Sequence, residues 1–162
     1  MWTCSQCKTT DTTLKYNSGK MKKCRNCQRF YNMSVNAKRK RKKKHQPNME
    51  MIKADFLEWS HDRERVCRYC GVRDEDVGKL KMKTQIGLGL DALGIDRLDS
   101  DKDYKIDNID FCCFGCNKAK GDVFTDSEMK VIGEAIKKIW AERIGPCQPP
   151  RGAEPSDAAD SR

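Results

Sequence analysis

Apolar residues are thinly spread along this chain, and they recur at two spacings that mark different elements. From Met49 onward, Ile52, Phe56 and Trp59 fall at helical spacing, with Asn48 placed to cap the helix. Two short runs, "ALGIDRL" and "NIDFCCF", predict strands joined by the polar loop "DSDKDYKID". A short helix is expected to open near Cys116. The last element is the clearest: Thr125-x-x-Glu128 forms a capping box, and Val131, Ile132, Ala135, Ile136, Ile139 and Trp140 form an apolar stripe that Gly145-Pro146 ends. Ahead of Met49 the pattern is weaker. Leu14 and Tyr16 read as strand positions beside an "NSG" turn, and residues 72–88 read as loop. Residues 146–162, rich in Pro, Ala and Asp, read as disordered.

With 37% hydrophobic and 35% charged residues in a chain of 162, no large core is available, and small cores of this kind need staples. Ten cysteines are the candidates. "MWTCSQCKTTDTT" has none of the basic start, apolar run or cleavage site of a secretory leader, and no stretch approaches the roughly 20 apolar residues of a membrane span. The cysteines therefore read as reduced metal ligands in a cytoplasmic protein. Charge is uneven. Residues 1–48 hold 14 of the 33 Lys and Arg against a single acid, Asp11, a formal +13, which leaves the remainder near −4. A basic third beside a nearly neutral body points to a polyanion, nucleic acid first. The run "KRKRKKK" at 38–44 reads as a phosphate-contacting arm; nuclear localisation, in a host with a nucleus, and simple solubilisation are its other readings.

Cys-x-x-Cys turns bring two sulfurs onto one ion, and two such turns complete the tetrahedron that Zn²⁺ prefers. Cys4, Cys7, Cys24 and Cys27 lie close in sequence and predict a zinc-ribbon-like staple; Fe–S ligation is the rival use of such thiols. Cys67 and Cys70 pair with Cys113 and Cys116 across 42 intervening residues. Cys112, pointing to the opposite strand face from Cys113, reads as a small buried apolar residue, and Cys147 falls in the tail. The second cluster would pin the two strands to the helix start, so that Asp96 and Asn117 face each other. A carboxylate and an amide oxygen suit Mg²⁺, and Lys118 and Lys120 nearby would favour an anionic ligand.

"GIDRLDS", a Tyr four residues before an Asn, and "CC..CNKAKGD" together resemble the HNH, or ββα-metal, endonucleases: a strand Asp, an Asn closing the loop, and a helix Asn beside a zinc clasp. "CRYCG", "NMSVNA" and "SEMKVIGEAIKKIW" extend the likeness to rare-cutting restriction enzymes of that family, from Cys4 to Arg143, weakly across residues 72–88. The resemblance implies a small zinc-stapled α+β fold: a zinc-ribbon-like unit (1–30), a basic linker or arm (31–48), a helix plus the HNH ββα-metal unit with its second zinc and a C-terminal helix (49–145), and a tail (146–162). It further implies a homodimeric, Mg²⁺-dependent enzyme that cuts double-stranded DNA at specific sites, with two structural zincs per chain and one Mg²⁺ per active site. Most of the family carries a histidine general base after the strand Asp. Here that position is Arg97, which cannot be deprotonated in a protein. By resemblance, Tyr104 replaces it as proton acceptor, Asp96 and Asn117 hold the ion, and Arg97 clamps phosphate. Asn108 braces the loop and His45 assists. The rival reading is a zinc-stabilised nucleic-acid-binding protein on a scaffold that has lost catalysis.

Overall fold

The structure, a computed structural model, describes residues 1–15, 22–39, 46–82 and 91–145. Tyr16 with its turn, Lys40 to Lys44 of the basic run, His45, and the tail with Cys147 lie outside the described residues. In chain order the elements are α1 (Arg25–Lys38), α2 (Lys53–His61), β1 (Gly94–Arg97), β2 (Ile109–Cys112), α3 (Phe114–Lys120) and α4 (Asp126–Ile144). 3-10 turns occupy Thr12–Leu14, Val77–Leu80 and Ile106–Asn108.

The expected strand at Leu14 is instead the end of a 3-10 turn, and α1 runs on across residue 30, where a linker was expected. Two features account for this helix. Cys24 caps it by accepting from the Cys27 N–H, so the second cysteine pair is also a helix start. Its buried face is polar: Arg25, Asn26 and Arg29 join Cys27 and Met33. Arg29 donates to Asp74 Oδ1, to the Leu93 carbonyl at 2.9 Å and to Asn26 Oδ1 at 2.6 Å, while Arg25 lies 3.3 Å from the other Asp74 oxygen. Asp74 also accepts from the Leu93 N–H at 2.7 Å, so this buried cluster fastens α1 to the segment that enters β1.

Helix α2 starts four residues later than the Asn48 cap predicted. Ile52 is the cap position, and the Asp55 carboxylate accepts from its N–H at 3.4 Å. Asn48 is drawn elsewhere: its carbonyl accepts from the Tyr104 N–H and its own N–H donates to Asp103 Oδ1. Phe56 and Trp59 of α2 are buried as expected, in an aromatic line with Phe30 and Phe111 whose centroids step by 5.9, 5.6 and 5.1 Å.

β1 and β2 pair antiparallel, with Ile95 opposite Phe111 and Asp96 opposite Asp110. Phe111 is fully buried against Trp59 and Arg29, so one hairpin face covers the core. Asp96 and Asp110 share the other face. Cys113 caps α3 as Cys24 caps α1, by accepting from the Cys116 N–H. The capping box at Thr125 and Glu128 opens α4 as the sequence indicates. Its apolar stripe is rotated from expectation: Met129, Gly133 and Trp140 are buried with Ile132 and Ile136 beside them, whereas Val131 and Ile139 are exposed. Gly133 sets that rotation. A Cβ there would stand 2.4 Å from the Tyr69 carbonyl oxygen, so only glycine lets α4 lie against the Cys67–Cys70 turn. No helix among the described residues is long and apolar enough to cross a membrane.

Candidate active site and metal centres

Eight cysteines gather into two clusters, Cys4, Cys7, Cys24, Cys27 and Cys67, Cys70, Cys113, Cys116, the sulfurs of each within 4.8 Å of one another. Sulfur pairs lie 3.8 Å apart for Cys4–Cys27, 3.6 Å for Cys7–Cys24 and 3.7 Å for Cys70–Cys113. These are not disulfides, whose sulfurs touch at about 2.05 Å. A tetrahedron with Zn–S bonds of about 2.3 Å has edges of about 3.8 Å, so both clusters fit Zn²⁺. Backbone N–H groups support the sulfurs: Gln6 and Cys24 donate to Cys4 Sγ, and Cys113 donates to Cys67 Sγ. Cys112 is buried outside the second quartet, its thiol donating to the Cys113 carbonyl.

The second cluster sits at the junction of β2 and α3. Arg68, inside its first turn, ties that turn to β2 and α4: it donates to Asp110 on β2 at 2.9 Å, grips Asp126 at the start of α4 at 2.6 and 2.9 Å, and its backbone N–H bonds the Phe111 carbonyl of β2. Arg68 holds the Asp126 carboxyl well below the ordinary carboxylate range.

Asp96 is buried on β1. Its Oδ2 accepts from the Tyr69 hydroxyl at 2.9 Å and lies 2.9 Å from Lys120 Nζ. Burial pushes the Asp96 carboxyl above its ordinary value, against the opposing pull of Lys120 and Tyr69. Burial and the neighbouring Asp96 push the Tyr69 phenol far above its usual range, which makes it a hydrogen-bond donor here. Lys120, whose side chain is 0% exposed, also donates to the Arg97 carbonyl and to Ser100 Oγ. Of the two lysines expected to attract an anion, Lys120 is enclosed and paired with Asp96, and Lys118 is exposed. Asn117 is half-buried on α3, one turn before Lys120.

Arg97 leaves the end of β1 and lies over the ring of Tyr104 at 5.2 Å, donating to the Lys102 carbonyl at 2.6 Å. Tyr104 is buried, and residues 48–50 run beside it through a parallel bridge between Met49 and Tyr104. Asn108 spans the loop: its Nδ2 donates to the Asp99 and Asp103 carbonyls, and its Oδ1 accepts from the Asp99 N–H. His45 lies outside the described residues, so the structure does not place it.

No protein-family profile matches the chain, and none of the curated proteins does. A solved structure does. It is described as the rare-cutting HNH restriction endonuclease PacI, which perturbs its DNA; it shares 34% identity with this chain at a TM-score of 0.75, covering 88% of this chain and 98% of its own. The chain belongs to the HNH endonuclease family. Its ββα unit is then β1, β2 and α3, with the second cysteine cluster as the clasp of the HNH motif. Tyr69, the Arg68 bridge and the pairing of Lys120 with Asp96 have no counterpart in the sequence reading of this HNH chain, which gave Lys120 an anion-attracting role. Their only signal was position: Arg68 and Tyr69 fill the Cys67–Cys70 turn, and Lys120 follows Asn117 by three residues.

Proposed function

We propose that this protein is a Mg²⁺-dependent, site-specific endonuclease of double-stranded DNA, acting as a homodimer, with zinc in both cysteine clusters. The observation that carries the reading is the seating of Arg97 over the Tyr104 ring, in the loop between an Asp96 strand and the strand that leads to Asn117. Tyr104 takes the proton from the attacking water. A phenol has an ordinary pKa near 10, so it needs positive charge close by to act as a base, and Arg97 supplies one. The same guanidinium faces the negative charge that develops on phosphorus. Asn108 keeps the loop in one shape, which keeps Tyr104 in register with the hairpin.

Hard oxygen donors from Asp96 and Asn117 suit a divalent ion, which when bound would supply Lewis-acid stabilisation of the phosphate and the leaving oxygen. DNA as the substrate class draws support from the basic residues 1–48 and from a second surface. A groove of about 960 Å³ between α3, α4 and the Val77–Leu80 turn combines Lys79, Lys81, Lys118 and Arg143 with the apolar Met82, Phe114 and Trp140, and no acidic side chain lines it among the described residues.

Cleavage of long, unmethylated DNA with Mg²⁺ tests the proposal. Discrete fragments are expected from the wild type, and none from Asp96→Ala. Tyr104→Phe should lose cleavage by about 10²-fold or more, the range of general-base contributions, while keeping zinc and DNA binding. Near-normal cleavage by Tyr104→Phe removes Tyr104 from the mechanism. Failure of the wild type to cut with either Mg²⁺ or Mn²⁺ favours the non-catalytic binding protein.

A further inference from the structure

The proposed mechanism makes no use of Lys120 and Tyr69, yet they are among the most enclosed polar groups of the fold. The Lys120 side chain is 0% exposed and Tyr69 is 4% exposed. A fully buried lysine is rare unless paired, and its partner here is the one carboxylate on which the metal reading depends. Both groups come to the same oxygen: the Tyr69 hydroxyl and the Lys120 ammonium each lie 2.9 Å from Asp96 Oδ2. They also come from different elements. Tyr69 belongs to the Cys67–Cys70 turn, and Lys120 to the last turn of α3, with further bonds to the Arg97 carbonyl and Ser100 Oγ.

We infer that Tyr69 and Lys120 are positioning residues for the metal: by occupying Oδ2 from two sides they lock the Asp96 carboxylate in one orientation and leave Oδ1 to take the ion. A carboxylate free to rotate would present either oxygen, and ordering it on ion binding would cost affinity. The clamp orders it in advance, and it is anchored to the second cysteine cluster through Tyr69 and to β1 through the Arg97 carbonyl. The inference rests on the reading that Asp96 is a metal ligand.

Charge alone predicts the opposite of positioning for Lys120. An ammonium beside the ligand repels a divalent cation, so its removal should tighten binding if electrostatics governs. Under the positioning inference its removal weakens binding, because Asp96 and the strand end are freed.

The test is Mn²⁺ binding to the full-length protein without DNA, followed by the electron-spin-resonance signal of free Mn²⁺, on variants with two zincs per chain and the wild-type melting curve. Tyr69→Phe, which removes one oxygen and keeps the packing, is expected to weaken Mn²⁺ binding about threefold to tenfold, the scale of one hydrogen bond. Lys120→Met, matched in length, should weaken it as well. Unchanged or tighter binding in Tyr69→Phe, or tighter binding in Lys120→Met, overturns the inference. If Lys120→Met does not fold, Tyr69→Phe decides alone. Asp96→Ala separates the two levels: if it binds Mn²⁺ as the wild type does, the metal reading of Asp96 fails and the inference with it. Loss of binding in Asp96→Ala beside wild-type affinity in Tyr69→Phe sinks the inference only.

Discussion

Replacing Asp74 by Asn tests whether the polar cluster under α1 holds the fold together. Asp74 faces two guanidiniums, Arg25 at 3.3 Å and Arg29 at hydrogen-bond distance, with side-chain exposures of only 7%, 5% and 3%. Asn keeps the shape and one acceptor oxygen but removes the charge, leaving two buried cations facing a neutral amide. Breaking a buried pair by removing one partner costs about 3–5 kcal/mol. Against a typical domain stability of about 5–15 kcal/mol, that is a large fraction. For a chain of this size each kcal/mol moves the melting temperature by roughly 2–4 °C, so a drop of about 6–20 °C is expected. Thermal and urea denaturation, on protein checked for its zinc content, supply the measurement. The pH dependence gives an internal control. Burial pushes Asp74 up, but Arg29, the Leu93 N–H and Arg25 together pull its pKa below the ordinary value. A folded pKa below the unfolded one, about 3.9, gives stabilisation that is complete above that value and lost as pH falls through the folded pKa. The gap between wild type and Asp74→Asn should therefore be widest near neutral pH and narrow below about pH 4. A loss under about 1 kcal/mol at pH 7, the scale of an exposed pair, would show that the cluster contributes little and refute the reasoning.

Two further perturbations bear on the scaffold. Cys67→Ser removes one ligand of the second cluster, and because metal binding there is also folding energy, it should unfold the ββα unit and lower the zinc content measured by elemental analysis from two per chain to one. A folded Cys67→Ser protein with two zincs contradicts the assignment. Gly133→Ala gains about 1 kcal/mol of helix propensity but sets a Cβ 2.4 Å from the Tyr69 backbone oxygen, a contact that only a shift of α4 or of the knuckle relieves, at about 1–3 kcal/mol. A lower melting temperature is expected; a higher one would mean that α4 stands further from the Cys67–Cys70 turn than the structure places it.

What was legible in the sequence was whatever depends on local spacing. The four Cys-x-x-Cys pairs, the two strands, the capping box of α4 and the helix opening beside Cys116 follow from residues within a few positions of one another, and the cysteine pairs could then be matched by count. Helix α1 was not legible because hydrophobic periodicity finds helices that bury apolar faces, and this one buries Arg25, Asn26 and Arg29. Its stabilising partner, Asp74, is 45 residues from Arg29 and sits in a stretch that looked unpatterned. The same limit applies to the site. Asp96, Arg97, Tyr104, Asn108 and Asn117 stood out by their order in a motif; the partners of the first four, such as Lys120 for Asp96, come from segments that the order alone does not bring together. Tyr69, 27 residues from Asp96, carried no signal of its own until the fold brought the two together.

These long-range polar contacts have a common cause. Two strands of four residues form a hairpin that is marginal in water by itself, and the chain is too short of apolar residues to bury it from both sides. One face has Phe111 against Trp59; the other must be held by something else. The Asp96 and Asp110 pair on that face would destabilise the hairpin if left alone, since like charges opposite each other repel. Arg68 compensates Asp110, Lys120 compensates Asp96, and both cations come from elements that the second cysteine cluster holds together. The groups that keep this face folded therefore also orient the carboxylate proposed to bind metal. Loosening the cysteine cluster should then disturb the metal ligand before the aromatic face gives way.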